Sequence, residues 1–313
     1  MLHTITRSIL FTLALALASL AHAAGCQNRF VAFGDSLSDP GNFYEAFGVT
    51  VKAPFAVVPD APYAIGGHHF SNGPTWAEKL AQRLGSPASG APALESPGVY
   101  TNYAVGGARA RPHILPYDLT TQVATFLTTF GGHACPDALY VLWIGGDDLR
   151  DALVALPTAG PAGAGAIVSA AVTGIADNVA ALWSAGARRF LILDAPDISH
   201  APAVRMLGPG AIGAASFLSA SFNAGLGQAI GQLQAALPQI RIMRFDDNAL
   251  LTAIIATPEA FDLSDATDPC LQFGVVEDAV CEEPSEFLFW DGIHPTSAGH
   301  RIVASAVQER LFD

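Results

Sequence analysis

The chain has few basic residues, and this shortage limits the classes of partner that it is expected to bind. Its 313 residues include 15 lysines and arginines against 28 aspartates and glutamates, a formal net charge of −13, and the basic residues form no cluster. Nucleic acid is therefore not an expected partner, because surfaces that bind nucleic acid are rich in lysine and arginine. The acidic balance is instead typical of a protein that stays soluble outside the cell.

Cysteine is also scarce, with only Cys26, Cys135, Cys270 and Cys281, and no C-x-x-C spacing. A metal site is therefore the weaker interpretation, and the adjacent histidines 68–69 do not favour one because neighbouring side chains point in different directions. An even number of cysteines in an exported chain predicts two disulfides. Cys270 and Cys281 flank a short loop and form the easiest pair. Cys26 and Cys135 each precede an apolar run, so they would meet if those runs were neighbouring parallel strands.

Long apolar runs are absent except near the N-terminus, and no later stretch is expected to cross a membrane. There, Arg7 precedes an apolar run over about 9–20, and the tripeptide Ala-His-Ala that ends at Ala23 offers an A-x-A cleavage site. This order over residues 1–23 is typical of a secretory signal peptide, and the run is too short to span a bilayer. We expect cleavage near Ala23 and a secreted or periplasmic product.

Short apolar runs alternate with longer segments of helical spacing in the remaining chain. The pattern predicts strands at 29–33, 139–144, 189–193 and 240–245, and helices at 75–84, 164–185, 217–237 and 297–311. Strands separated by helices of this length indicate βαβ units and a parallel sheet. The segments 85–98 and 257–285 are predicted to be surface loops. Because neither separates two regions of different composition, residues 24–313 are predicted to form one domain.

Two segments near the predicted strand ends carry reactive side chains. Ser36 follows a turn at Gly34, at the carboxyl end of the first strand, where it is either a helix cap or a nucleophile. Asp291 and His294 stand three residues apart before the last helix, close enough for the carboxylate to orient the imidazole. Each signal alone is weak, because aspartate is common in turns and a single histidine is usually structural.

Taken in order, these motifs resemble the GDSL, or SGNH, family of serine esterases and lipases over nearly the whole chain. The matching blocks are Gly-Asp-Ser-Leu at 34–37, Asn-Tyr-Ala-Val-Gly-Gly-Ala at 102–108 and Asp-Gly-Ile-His-Pro-Thr at 291–296, with further similarity at 70–76 and 145–148 to the secreted bacterial lipase and acyltransferase branch. The resemblance implies a three-layer α/β/α sandwich with a central parallel sheet, the flavodoxin-like SGNH-hydrolase class. It also implies that Ser36 is the nucleophile, His294 the base and Asp291 its partner.

The oxyanion hole implied by the resemblance contains one irregular residue. Its donors would be the backbone N–H groups of Ser36 and Gly106 and an asparagine amide, but Asp147 stands where the asparagine is expected. An ionised aspartate does not donate, and the loss of one donor costs roughly 2.7–4 kcal/mol. Three outcomes stay open: Asp147 is protonated and donates, it turns away, or the chain is a weakened variant. Helix capping is the plain alternative for Asp147 and its neighbour Asp148.

The resemblance thus implies a secreted serine carboxylic ester hydrolase that acts through an acyl-enzyme at Ser36, impaired or shifted in pH dependence by Asp147. It implies lipid, phospholipid or short-chain esters as acyl donors, transfer to an alcohol as a second outcome, transient contact with membrane lipid, and neither a cofactor nor a metal. The alternatives are a polysaccharide deacetylase and a non-catalytic binding protein on the same fold. Phe289 and Trp290 either line an acyl or choline-like pocket or belong to the core.

Overall fold

The part of the chain that the structure describes is built around one parallel sheet that is packed on both faces. The computed structural model describes residues 30–50, 63, 67–113, 117–272 and 279–312. The predicted signal peptide and Cys26 lie outside the described residues. Among those described, four parallel strands follow in the order β1-β2-β3-β4, and they span Phe30–Gly34, Leu139–Trp143, Arg189–Leu193 and Arg241–Phe245.

The four predicted strands are confirmed, with ends that move by one residue at most. β1 is buried along its whole length and β2 and β3 along nearly all of theirs, which explains why they read as continuous apolar runs rather than as alternating ones. Ala32 of β1 is also bridged in parallel to Asn102, so the second block of the resemblance lies beside the strand that precedes Ser36. The sheet thus brings two of the matching blocks together.

Helices cover both faces of the sheet and complete the predicted three layers. They are α1 Asn42–Phe47, α2 Trp76–Arg83, α3 Pro87–Gly90, α4 Leu119–Thr129, α5 Gly146–Ser184, α6 Pro202–Arg205, α7 Pro209–Ala236, α8 Asp247–Ala256 and α9 Ser297–Phe312. Alternate strand residues face opposite layers. Tyr140 and Leu142 pack towards α4, α5 and α7, whereas Val141 and Trp143 pack towards α2 and α9. The two halves of the core therefore lie on opposite sides of the sheet.

The two predicted surface loops contain regular structure that the sequence pattern did not reveal. The segment 85–98 includes α3, and the segment 257–285 includes β5 (Asp265–Pro269), which pairs in parallel with β6 (Phe287–Phe289). β5 has the sequence Asp-Ala-Thr-Asp-Pro, which lacks the apolar residues that identify a strand. Sequence alone therefore hides it.

The cysteines in the described residues are oxidised. Cys270 and Cys281 form the predicted disulfide, which ties the segment after β5 to the segment before β6. Cys135 is also disulfide-bonded, and its predicted partner, Cys26, lies outside the described residues. The described residues thus include no free thiol.

The helix α5 begins earlier than predicted, directly after β2, and its geometry is broken once. Gly160 has non-helical angles, φ 65° and ψ −177°, between Pro157 and Pro161. By length and composition α5 is apolar enough to cross a membrane, so the expectation that no later segment would qualify is wrong. In the structure α5 instead packs against α7 and contributes to the core.

Candidate active site

Ser36 lies in the tight turn that follows β1. A side chain at Gly34 would place its Cβ 2.6 Å from the carbonyl oxygen of Trp143 on the neighbouring strand, so glycine is required there. The carboxylate of Asp35 accepts the N–H of Leu37 at 3.1 Å, which fixes the turn. The next helix, α1, begins only at Asn42. Ser36 is therefore not a helix cap, and the capping alternative fails.

The segment before α9 places His294 against Ser36, 258 residues away in the chain. The imidazole Nε2 lies 2.8 Å from Ser36 Oγ, and Nδ1 lies 2.8 Å from Asp291 Oδ2 and 3.0 Å from Asp291 Oδ1. All three side chains that the sequence singled out thus meet in one hydrogen-bonded series. Such a series suits proton transfer from a serine hydroxyl to a histidine that a carboxylate orients.

Asp291 is held in place by three further donors. Its Oδ1 accepts the backbone N–H groups of Ile293 at 2.8 Å and His294 at 2.7 Å, and its Oδ2 accepts the hydroxyl of Tyr63 at 2.9 Å. The backbone N–H of Trp290 donates to the carbonyl of His294 at 2.7 Å and closes the loop on itself. The carboxylate that orients the imidazole therefore has little freedom to rotate.

Burial and charge set the protonation of this series. Burial opposes ionisation of Asp291, yet His294 and the two backbone N–H donors hold the pKa of Asp291 below its ordinary value. Burial also opposes a charge on His294, but the Asp291 carboxylate, with smaller contributions from Asp147 and Asp35, raises the pKa of His294 above 6.5. An ionised Asp291 favours the tautomer with the proton on Nδ1, which leaves Nε2 free to accept from Ser36.

The backbone N–H of Gly106, predicted to face the oxyanion, is engaged elsewhere. It donates to Asp39 Oδ2 at 2.7 Å, and the same buried carboxylate accepts the N–H groups of Asn42 and Phe43. The next residue, Gly107, has φ +78° and lines the cavity beside Ser36, and its N–H donates to no acceptor among the described residues. In this structure the Gly106 N–H is therefore not open to the cavity, and the open donor in this block belongs to its neighbour.

Asp147, the irregular residue, opens α5 and is paired with arginine. Its Oδ1 lies 2.8 Å from Arg150 and 3.9 Å from Arg109, and its side chain lines the same cavity as Ser36. Two guanidinium groups thus face this carboxylate, and among the described residues no hydroxyl or backbone N–H donates to it. Of the three outcomes left open by the sequence, this geometry agrees with a side chain turned towards arginine.

The adjacent Asp148 has a different role. It is fully buried, and it accepts the backbone N–H of Ala110 at 2.7 Å and the guanidinium of Arg111 at 2.6 Å. Asp151, one turn further along α5, forms a two-pronged pair with Arg109 at 3.0 and 2.9 Å. These contacts join α5 to the segment that follows Gly107. They fix the position of Arg109 and so support the pairing of Asp147.

A cavity of about 1020 Å³ opens beside these groups. Its polar lining includes Ser36, His294, Asp147 and Arg150, and most of the remaining wall is apolar. The apolar residues from α5, α6 and α7 and their approaches are Leu153, Val154, Leu156, Pro157, Ile198, Val204, Leu207, Ala211 and Ala214. Ser36 therefore faces a space that suits an apolar chain rather than a strongly hydrated group.

Comparison with known proteins agrees with this geometry. The sequence profile described as GDSL-like Lipase/Acylhydrolase matches residues 30–307. The chain belongs to the GDSL family. Within this family it is 26% identical over 298 residues to the thermolabile hemolysin of Vibrio parahaemolyticus, an alignment that covers 90% of this chain and 63% of the hemolysin.

Two plant and bacterial relatives of this GDSL protein show how the matched length varies. The GDSL esterase/lipase EXL3 of Arabidopsis thaliana is 26% identical over 324 residues, which cover 90% of this chain and 87% of EXL3. Lipase 1 of Photorhabdus luminescens is 29% identical over 202 residues, which cover 63% of this chain and 27% of that lipase. The chain thus spans less than two thirds of the length of several curated relatives.

A solved structure, the extracellular lipase of Streptomyces rimosus, aligns with 90% of this GDSL chain and 98% of its own, at 15% identity and a TM-score of 0.41.

Sequence reasoning missed several residues that shape the site of this GDSL protein. Tyr63 reaches Asp291, 228 positions away, and Asp39 reaches Gly106, 67 positions away, and no local pattern marks these two contacts. Asp247 lies buried in the cavity wall at the carboxyl end of β4, and no described residue donates to its carboxyl group. Burial, with the charges of Asp194 and Asp246, raises the pKa of Asp247 to about 8.

The structure also locates the two aromatic residues and one of the two adjacent histidines, and Phe289 proves to belong to the core as well as to the cavity wall. Phe289 lines the cavity, whereas Trp290 packs beside the Cys270–Cys281 disulfide with Tyr63. His69 forms an ion pair with Glu78 at 2.8 Å. Within the described residues, no three histidine, cysteine, aspartate or glutamate side chains lie close enough together to hold a metal ion.

Proposed function

We propose that the protein is a secreted serine carboxylic ester hydrolase. The observation that carries this proposal is the hydrogen-bonded series in which His294 Nε2 lies 2.8 Å from Ser36 Oγ while Asp291 holds the other ring nitrogen. The predicted signal peptide and the Cys270–Cys281 disulfide, a bond that persists in oxidising compartments, support export.

The reaction proceeds through an acyl-enzyme. Ser36 Oγ attacks the ester carbonyl carbon as its proton moves to His294 Nε2, and the carbonyl oxygen takes the negative charge. Collapse of this intermediate breaks the bond to the alcohol, which leaves with the proton from His294. Water then repeats the sequence on the acyl-serine, releases the acid and restores Ser36. Asp291 stabilises the imidazolium in both halves.

The backbone N–H groups of Ser36 and Gly107 are the proposed oxyanion donors. Neither donates to an acceptor among the described residues, and both residues line the cavity. Asp147 supplies no donor in this proposal. Its negative charge, if unopposed about 4 Å from the oxyanion, would cost on the order of 4 kcal/mol at an effective dielectric of about 20. Arg150 and Arg109 offset that charge.

The apolar cavity wall supports an ester with a hydrocarbon acyl chain as the substrate. Relatives named as a hemolysin and as lipases agree with lipid or phospholipid esters. The same wall disfavours a polysaccharide deacetylase, because a sugar chain presents hydroxyl groups that an apolar wall leaves unpaired. Transfer of the acyl group to an alcohol uses the same serine and stays a second outcome of the proposal.

Labelling with a fluorophosphonate tests the proposal directly, because that probe reacts only with an activated serine. The natural chain and Ser184→Ala, which removes an exposed hydroxyl at the end of α5, are expected to react, and Ser36→Ala is expected not to. Hydrolysis of p-nitrophenyl esters with acyl chains of increasing length should follow the same order. If no chain is labelled and none cleaves an ester, the non-catalytic binding protein becomes the better description.

A further inference from the structure

The helices α5 and α7 form a surface without charge. Residues 152–176, which make up the middle of α5, and residues 206–240, which include all of α7, contain no aspartate, glutamate, lysine or arginine. The two helices pack against each other along one face of the sheet. A surface helix of a soluble protein normally carries charged residues on its outer face. The outer faces of this helix pair have none over these residues.

Large apolar side chains are exposed on this helix pair and on the short connection that precedes α7. Val154 of α5 is 72% exposed, Met206 is 83% exposed, Leu207 is 67% exposed and Phe217 of α7 is 71% exposed. Only 39% of the most apolar 18-residue stretch of α5 is buried. Scattered apolar residues are normal on a protein surface, but a group on one uncharged helix pair indicates a binding face.

This surface is continuous with the cavity that holds Ser36. Val154 and Leu207 line the cavity and are largely exposed, so they lie at its opening. Ala214 also lines the cavity, and Phe217 follows it by three residues, on the same side of α7. The exposed apolar side chains therefore surround the route by which a ligand reaches the serine.

We propose that the exposed faces of α5 and α7, with the connection at Met206 and Leu207, dock on the surface of aggregated lipid. The proposal rests on the proposed ester hydrolase for its purpose, which is to pass an acyl chain from the lipid into the cavity. A second copy of the chain fits less well, because it would cover the opening that the substrate needs. Residues 152–176 and 206–240 contain no lysine or arginine, and Arg150 and Arg205 stand only at the border of this surface, so it favours a zwitterionic lipid partner over an anionic one.

Vesicle binding tests this surface without any need for catalysis. In the Ser36→Ala background, sedimentation with phosphatidylcholine vesicles is expected to capture the protein. Met206→Asp combined with Phe217→Asp should weaken that binding at least tenfold, whereas Val99→Asp combined with Phe312→Asp should not. The control pair removes exposed apolar side chains (61% and 72% exposed) outside the helix pair and adds the same charge.

Activity gives the second measurement. With Ser36 intact, Met206→Asp combined with Phe217→Asp is expected to cleave a soluble short-chain p-nitrophenyl ester at the parent rate but to lose at least fivefold on phosphatidylcholine vesicles. The proposal is overturned if the parent binds no vesicles, if the two pairs behave alike, or if size-exclusion chromatography shows a dimer that only the helix-pair variant disrupts. Vesicle binding that depends on Met206 and Phe217 without labelling at Ser36 would instead reject the hydrolase and keep the surface.

Discussion

Two segments of the chain bring a carboxylate to the same cavity, and they hold it in different ways. In the segment before α9, Asp291 is fixed by two backbone N–H groups and by Tyr63. At the start of α5, Asp147 is held by side chains, and the nearest, Arg150, is 42% exposed. Backbone donors are rigid, whereas an exposed arginine keeps much of its freedom and is screened by salt. The carboxylate of Asp291, which aligns the histidine, is thus fixed mainly by backbone donors. The carboxylate of Asp147, whose charge would destabilise the oxyanion, is held only by side chains that can move.

The largest expected effect comes from substitution of Asp291, the carboxylate that backbone donors hold rigidly. Asp291→Asn should lower kcat for a p-nitrophenyl ester by about 10⁴, because the amide donates to Nδ1 and imposes the wrong histidine tautomer. Tyr63→Phe, which removes a single donor to the same carboxylate, should cost far less. Steady-state kinetics with circular dichroism on both variants make the comparison. A loss below about tenfold for Asp291→Asn would show that the Asp291 carboxylate does not set the tautomer of His294.

Substitution of Asp147, the carboxylate that side chains hold, should change kcat in the opposite direction. Asp147→Asn removes a negative charge near the oxyanion, so kcat should rise about tenfold to a hundredfold at neutral pH. His294 must be neutral to accept a proton, and Asp147 is one of the charges that raise its pKa above 6.5. The acid limb of the pH–rate profile should therefore lie above that value in the natural chain and move to lower pH in Asp147→Asn.

An unchanged rate and an unchanged acid limb in Asp147→Asn would mean that the Asp147 side chain does not act on the reacting atoms. The neutral amide has nearly the same shape as the carboxylate, so a folding defect is not an expected source of confusion. A measured unfolding curve for the variant provides that check.

Arg150→Gln tests whether this arginine neutralises the Asp147 charge enough for the reaction to proceed. Loss of the guanidinium at 2.8 Å leaves the carboxylate less well neutralised, so kcat should fall about tenfold and the acid limb should move to higher pH. In the Asp147→Asn background the same change should alter kcat by no more than about twofold, and this difference measures the coupling. Arg310→Gln, on the exposed end of α9, is the matched control. Equal effects in both backgrounds would contradict the pairing.

Asp247 extends the comparison to a carboxyl group to which no described residue donates a hydrogen bond, and the expected effect of its substitution is on stability. Burial raises its pKa to about 8, so the folded protein keeps a proton that the unfolded chain releases above about pH 4, and stability falls as pH rises between those values. Asp247→Asn should raise the free energy of unfolding at pH 8 by on the order of 5 kcal/mol and change it little at pH 4. Urea unfolding at both pH values measures this, and a pH-independent difference would show that the carboxyl group is not the cause.

The sequence predicted the sheet well and the helices less evenly. Strands buried on both faces are apolar almost throughout, and this located β1, β2 and β3 to within one residue. β4 is more exposed, and the apolar residues around its two arginines located it equally well. α8 was not predicted because its apolar residues do not recur at helical spacing; its sequence is Asp-Asn-Ala-Leu-Leu-Thr-Ala-Ile-Ile-Ala. β5 was not predicted because it is polar. Such elements form because neighbouring parts of the chain supply their packing, which a local pattern does not contain.

The sequence by itself determined the order of the motifs, the identities of Ser36, Asp291 and His294, and the alternation that builds a parallel sheet. Only the tertiary structure decided that Gly106 is engaged and Gly107 open, because the acceptor, Asp39, stands 67 residues away. It likewise decided which groups Asp147 contacts, because one of its two arginines comes from another segment of the chain. A hydrogen bond or an ion pair depends on where its partner lies in space. Residue type and spacing therefore name the chemical groups of a site, and the fold selects which of them are free to act.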